Sequence, residues 1–257
     1  MTKEIQELIE EAIKLVLDAQ KIVVFTGTGL STDSGMSGAA SSNNSPATSQ
    51  ESAFPTFVGN PTTRRKSWQT WNMFRMIELA QPSPAHYAIT ELYTMGKLDC
   101  VITQNVDGLH QKAGVPDEKV IELHGSLRRM KCVNCDRRYP IMEVAKRLGD
   151  GEEKSLCSEC GGLLKAATVS FGEPPPTEEI EGAEQHSRNC DLFMLLGSSL
   201  MVYPAAYMPI YAKEAGAKLI IINVGTASMD KSADVLIDMD VGKGLLSIIE
   251  GVKNRLA

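Results

Sequence analysis

Four cysteines arranged as two Cys-x-x-Cys pairs, Cys132/Cys135 and Cys157/Cys160, are the residues whose type and spacing most directly specify a chemistry. Each pair can present two thiolates to one ion from a tight turn, and the separation of the pairs is that of a zinc ribbon. Four protein ligands fill a tetrahedral shell and leave no position for a reactive water, so the expected metal is one structural Zn2+. A redox dithiol is the competing reading, and two pairs at ribbon spacing weigh against it. Cys100 and Cys190 lie in apolar, strand-like contexts, where packing is the expected role.

A second set of residues points to a dinucleotide. An apolar run ends in Thr26-Gly27-Thr28-Gly29-Leu30-Ser31-Thr32-Asp33-Ser34-Gly35, and a Gly-x-Gly turn after a strand lets backbone amides approach a pyrophosphate ahead of a helix N-terminus. The dehydrogenase fingerprint would need a third glycine at Thr32 and an acidic ribose partner about twenty residues on, near Ala47. A nucleotide turn survives that comparison; hydride transfer gains nothing from it. Further apolar runs end in Thr103-Gln104-Asn105-Val106-Asp107-Gly108-Leu109-His110, in Leu123-His124-Gly125-Ser126, in Gly197-Ser198-Ser199-Leu200 and in Asn223-Val224-Gly225. In a doubly wound sheet the carboxyl ends of the strands share one crevice, so these segments would line it together. His124, titrating near neutrality, is the natural general base. His86 and His110 sit in helix-like contexts and read as structural, and His186 as exposed.

The elements that must position these residues are legible as alternation. Lys21 to Phe25, Cys100 to Thr103, Val120 to Leu123, Leu192 to Leu196 and Lys218 to Asn223 are short apolar runs, expected of strands buried on both faces. Helical patterns at Ala85 to Met95, Tyr203 to Ala215 and Leu245 to Leu256 fall between and after them, which predicts an α/β fold with a doubly wound parallel sheet. Residues 36–66, rich in Ser, Ala, Asn, Pro and Thr, read as a long loop, and residues 131–163 as a small insert too poor in apolar residues to fold without its metal. The expected division is a discontinuous main body (1–36, 82–130 and 164–257), a loop and helical module (37–81) and the zinc insert (131–163).

The chain has 257 residues, 43% of them hydrophobic, and a net charge of −6. That charge disfavours direct nucleic-acid binding; the one local basic run, Arg64-Arg65-Lys66, reads as solvated surface. No stretch approaches the ~20 continuous apolar residues of a membrane span, and the N-terminal TKEIQELIEEAIKLVLDAQK is an amphipathic helix rather than a signal peptide. The expected setting is cytoplasmic, with no membrane partner.

Taken in order, GTGLSTDSG, TQNVDGLH, LHGS, the two cysteine pairs, VSFGEPPP, LLGSSLMVYPAA and IIINVG cover nearly the whole chain. This ensemble resembles the sirtuin family. The resemblance implies a Rossmann-like domain with a smaller zinc-ribbon plus helical domain, NAD bound between them, and an NAD-dependent deacylase that moves the acyl group of an acylated lysine, in a protein or peptide, onto ADP-ribose with release of nicotinamide. It implies that Gly27, Thr28, Gly29, Ser31 and Thr32 hold the diphosphate and neighbouring ribose. Gln104 and Asn105, the latter counted with the catalytic residues, would bind the nicotinamide-side ribose and an ordered water, and Asp107 would hold the carboxamide. Gly197, Ser198, Ser199, Asn223 and Val241 would serve the adenosine half, with His124 as the base. Val169, Phe171 and Val202 would wall the acyl-lysine tunnel, and Gly172-Glu173 and Leu200-Met201-Val202 would pair with the substrate as strands.

The chain departs from the family after Gly35-Met36, where Pro-Asp-Phe-Arg is usual and Ser37-Gly38-Ala39-Ala40 stands here. Phe54, Phe57 or Arg64 could supply the missing aromatic or guanidinium. Thr28 replaces the usual Ala, and Ser170 a large apolar residue. The alternatives this departure raises are an ADP-ribosyltransferase or NAD glycohydrolase, and a catalytically weak NAD- or ADP-ribose-binding protein. The presence of Gln104, Asn105, Asp107 and His124 favours retained deacylation.

Overall fold

The computed structural model describes residues 2–34, 53–64, 79–149, 156–170, 172–174 and 176–256, with only the backbone at 32–33 and 148–149. Six strands form one parallel sheet in the order β3-β2-β1-β7-β8-β9. They are β1 (Ile22–Thr26), β2 (Leu98–Thr103), β3 (Val120–Glu122), β7 (Leu192–Leu196), β8 (Lys218–Asn223) and β9 (Val235–Asp238). Every residue of β1 and β7 is buried, as continuous apolar runs require when helices cover both faces. The expected strands are therefore present, and β9 joins them at the far edge.

One face of the sheet is closed by α1 (Lys3–Asp18), α3 (Pro84–Thr94) and α8 (Val241–Leu256). Ile9, Ile13 and Val16 meet Leu245, Ile248 and Val252 there, over Val24, Val101, Met194 and Ile222 of the strands. The other face packs on α6 (Thr177–Asn189) and α7 (Met208–Glu214), with Phe25, Phe193, Ile221, Ala183, Met208 and Ala212 in one cluster. The helix expected over Tyr203 to Ala215 starts later: Ala205–Tyr207 is a 3-10 turn, and the α-helix begins at Met208 with Pro209 in its first turn.

A three-stranded antiparallel sheet, β5-β4-β6, projects from this body. It comprises β4 (Gly125–Cys132), β5 (Arg138–Pro140) and β6 (Leu164–Thr168), with α5 (Ile141–Gly149) after β5. Its small core joins Phe57, from α2 (Phe54–Gly59), with Met130, Tyr139, Val144 and Leu164 around Cys132 and Cys157. The main-body boundary expected at residue 130 falls inside β4, because that strand starts directly after His124 and pairs from Gly125 opposite Thr168. The fold is thus Rossmann-like, with a small antiparallel module that carries the cysteine quartet.

Candidate active site

Strand order reverses between β1 and β7, the place where an open α/β sheet leaves a crevice at the carboxyl ends of its strands. The glycine turn after β1 lies against the end of β7 there. Gly27 N–H donates to Leu196 O (3.1 Å) and Gly29 N–H to Gly197 O (2.9 Å). A Cβ on Gly29 would sit 2.8 Å from Gly197 Cα, and one on Gly197, whose φ is +63°, would sit 2.7 Å from Gly29 C. Glycine on both sides is what lets the two backbones touch, and residues 28–34 leave the contact as a 3-10 turn.

The loop after β2 ties this floor together. Asn105 Nδ2 donates to Gly27 O (3.0 Å) and to Ser31 Oγ (3.1 Å), and Ser31 Oγ donates to an Asp107 carboxylate oxygen (2.9 Å). Asp107 also accepts from Leu109 N–H (3.0 Å), at the start of α4 (Leu109–Ala113). Asn105 and Asp107 are each only 7% exposed, so their polar atoms are held by these bonds rather than by solvent. Gln104 joins the other two sides: its carbonyl accepts from His124 Nδ1–H (3.1 Å), and its side-chain oxygen accepts from Ser198 Oγ (2.7 Å).

Because a carbonyl can only accept, that bond fixes the proton of neutral His124 on Nδ1 and leaves Nε2 with a lone pair. Burial lowers the pKa of His124 below the usual imidazole value, and the Gln104 carbonyl only partly offsets it. The ring is therefore neutral at pH 7 and able to take a proton.

Gly27, Gly29, Ser31, Gln104, Asn105, Asp107, His124, Gly197 and Ser198 accordingly form one connected cluster. Thr28 lies exposed on the turn, and of Thr32 only the backbone is described. Ser199 is exposed beside Ser198, its carbonyl accepting from Ser228 N–H at 3.4 Å. Asn223 ends β8 and donates to Gly225 O, while Val241, at the first turn of α8, is buried in the core below. Val169 is half-buried and donates its N–H to His124 O (2.9 Å), which puts it beside the base. Gly172 and Val202 are exposed. The Glu173 side chain is occupied elsewhere, accepting from Lys165 Nζ, Lys131 Nζ and Ser170 N–H, and its own N–H donates to Ser170 O (3.0 Å). Phe171 and the Gly38-Ala39-Ala40 departure lie outside the described residues.

Two of the expected stand-ins for the missing family residues are committed to other work. Phe57 is 5% exposed in the core of the small module, and Arg64 donates to the carbonyls of Phe57 and Val58. Phe54 is half-buried. The sequence reading missed Thr26 and Thr103, whose hydroxyls bond at 2.8 Å beneath the turn; Thr103 also accepts from Asn105 N–H, and His110 Nε2 reaches Thr26 at 2.9 Å. A polar residue closing each of two apolar strands was the available signal.

The four cysteines converge as their spacing predicts. Their sulfurs lie within 4.8 Å of one another and approach to 3.4–3.6 Å pairwise, close to the ~3.8 Å edge of a tetrahedron with Zn–S bonds of about 2.3 Å. None of the four is in a disulfide, and Tyr139 Oη lies 3.1 Å from Cys157 Sγ while accepting from Ser158 N–H. The donor set fits a closed zinc site with an outer hydrogen bond in place.

Comparisons with known proteins bear on what such a crevice serves. Residues 27–204 match the model of the Sir2 family. An "NAD-dependent protein deacetylase 1" from Bradyrhizobium diazoefficiens is 38% identical over 95% of this chain and 96% of its own length. An "NAD-dependent protein deacylase 2" from Pyrobaculum aerophilum is 40% identical over 94% of this chain and 95% of its own. A solved structure described as "Sir2-p53 peptide-NAD+" superposes with a TM-score of 0.81 at 32% identity, covering 97% of this chain and 99% of that one. With the glycine turn, the Gln104–Asp107 loop, His124 and the cysteine quartet all inside or spanning that matched length, this chain belongs to the Sir2 family.

Proposed function

We propose that this protein is an NAD-dependent protein-lysine deacylase, which transfers the acyl group of a modified lysine to ADP-ribose and releases nicotinamide. The observation that carries the reading is that Asn105 bonds to Gly27 O on the glycine turn while the adjacent Gln104 bonds both Ser198 and a neutral His124, which joins the turn, the end of β7 and the base. NAD, when bound, supplies the glycosidic bond that breaks and the ribose that accepts the acyl group. Everything else falls to the chain.

Gly27, Thr28, Gly29, Ser31 and Thr32 form the turn for the diphosphate, where an absent Cβ allows close backbone approach. Asn105 and Gln104 serve the nicotinamide-side ribose, and Asp107 offers the carboxamide an acceptor held in place by Ser31 and Leu109. Gly197, Ser198, Ser199, Asn223 and Val241 serve the adenosine half at the ends of β7 and β8 and the start of α8. His124 Nε2 removes a proton from a ribose hydroxyl during acyl transfer, while Gln104 O holds the opposite edge of the ring. Val169, Phe171 and Val202 wall the acyl-lysine channel, and the backbones at Gly172-Glu173 and Leu200–Val202 receive the peptide as an added strand, a mode that favours many sequences. The parallel-sheet body thus binds NAD, and the metal-braced module closes the far wall. Zinc held by Cys132, Cys135, Cys157 and Cys160 is structural, since all its positions are filled by protein.

A cysteine quartet that holds a metal suits a reducing compartment, which supports a cytoplasmic setting. No helix among the described residues is long and apolar enough to cross a membrane, and the net charge of −6 supports an acylated protein rather than nucleic acid as partner.

The test is a reaction with NAD and an acetyl-lysine peptide, following nicotinamide and O-acetyl-ADP-ribose together. His124→Ala is expected to lower acyl transfer by roughly 100-fold or more, the usual worth of a positioned base, with an unchanged circular dichroism spectrum. Wild-type-like turnover in that variant, or no nicotinamide release by the wild type with any acyl-lysine peptide, would overturn the proposal.

A further inference from the structure

A second cluster of metal-ligating side chains lies at the opposite end of the sheet from the crevice. β2 pairs with β1 in register from Cys100, opposite Val23, onward, but Ile22 faces Leu98, so Asp99 is an inserted residue in the ladder. Regular pleating would send Asp99 and Cys100 to opposite faces; a bulge breaks that alternation and re-aims the side chains. As a result a carboxylate oxygen of Asp99, Cys100 Sγ and a ring nitrogen of His186, from α6, all lie within 4.8 Å of one another. His186 Nδ1 is 2.6 Å from Asp99 Oδ2. Nothing in the proposed reaction uses any of the three.

We propose that Asp99, Cys100 and His186 form a second metal site, which takes one Zn2+ and clamps α6 to the N-terminal end of β2. The donor set decides the metal: one thiolate, one imidazole and one carboxylate suit a borderline ion such as zinc, whereas the sulfur argues against magnesium or calcium. Access decides the character of the site. Cys100 is 1% exposed, but the side chains of His186 and Asp99 are 39% and 22% exposed, so an ion enters from solvent and keeps water at its fourth position. Cys190 lies close to this group, yet its thiol donates to Ser187 O at 3.2 Å and closes the turn after α6. An Asp99–His186 ion pair alone accounts for the 2.6 Å contact, and Cys100 also packs with Ala183 and Phe193; burial keeps its thiol protonated, so the metal must displace that proton as it binds.

The full chain, with zinc resident in its cysteine quartet, is equilibrated with excess Co2+ and freed of unbound ion by gel filtration. Elemental analysis is expected to show two metal ions per wild-type chain. In His186→Ala and Asp99→Asn, both altered at partly exposed positions, the second ion should bind at least about tenfold more weakly while the first is retained. The added cobalt should carry a thiolate-to-metal absorption band in the wild type that Cys100→Ser lacks. One metal ion per wild-type chain in excess cobalt, or a second ion that survives both exposed substitutions, overturns the proposal.

Discussion

With its Nδ1 proton committed to Gln104 O, His124 meets the crevice as a base at Nε2 only, and the neutral ring is the working form. Burial holds its pKa below that of a free imidazole. In a profile of kcat/KM against pH, which reports the free enzyme, activity should therefore stay level through neutrality. It should fall only as protonation sets in below about 6.5. An acid limb centred above that value would show that the ring is not buried as described. His124 was legible in the sequence because a histidine after an apolar run has few bland explanations. The path that sets its tautomer was not, since it depends on a backbone carbonyl twenty residues away that no side-chain pattern announces. Phe57 illustrates the converse: an aromatic in a polar segment reads as a candidate lid, and packing against Met130 and Tyr139 assigns it to a core instead.

At the scale of elements, the parallel strands were readable and the antiparallel ones were not. β7 and β8 are uninterrupted apolar runs, whereas β4 is GSLRRMKC, with a register shift between Ser126 and Met130 that erases any two-residue alternation. That irregularity has a local cause: Leu127 N–H donates to Val106 O (2.8 Å), tying the bulged part of β4 to the Asn105–Asp107 loop. α6, TEEIEGAEQHSRN, is too polar to stand out as a helix and buries only Ala183 and Ser187. The cysteines announced a module whose strands the sequence concealed. Its order rests on the metal and on the outer contact of Tyr139 with Cys157. Tyr139→Phe keeps the ring in its cluster and removes the hydroxyl, so zinc affinity should fall about tenfold, measured by competition with a chromogenic chelator. Unchanged affinity would assign the hydroxyl to Ser158 N–H alone.

For the whole molecule, the most exposed weakness is acid. His86 and His110 are fully enclosed, with ring centroids 4.9 Å apart, and His86 Nε2 and His110 Nδ1 have no partner among the described residues. Burial lowers the pKa of His86 to about 4, against a smaller pull upward from Asp107, and holds His110 well below its ordinary value, aided by His86. The unfolded chain takes up these protons below about 6.5, so this part of the stability is intact above that pH and is lost as the pH falls toward 4. At about 1.4 kcal/mol per unit, His86 alone contributes on the order of 3 kcal/mol to that loss. Urea midpoints should drop between pH 7 and pH 4.5, and drop less in His86→Gln. That comparison separates the imidazole from the carboxylates, among which Glu122, raised by burial, acts with the opposite sign. Equal slopes in the two proteins would discard the idea. The order of the strands carries a last consequence. The chain leaves the large sheet at His124-Gly125, where φ is +75° and a side chain on Gly125 would collide with Ala167 O, and returns at Thr168-Val169, whose amide bonds back to His124. These two crossings are thus stitched at a single knuckle, and the imidazole is its pin. A displacement of the cysteine-bearing module at this knuckle would therefore carry the base with it.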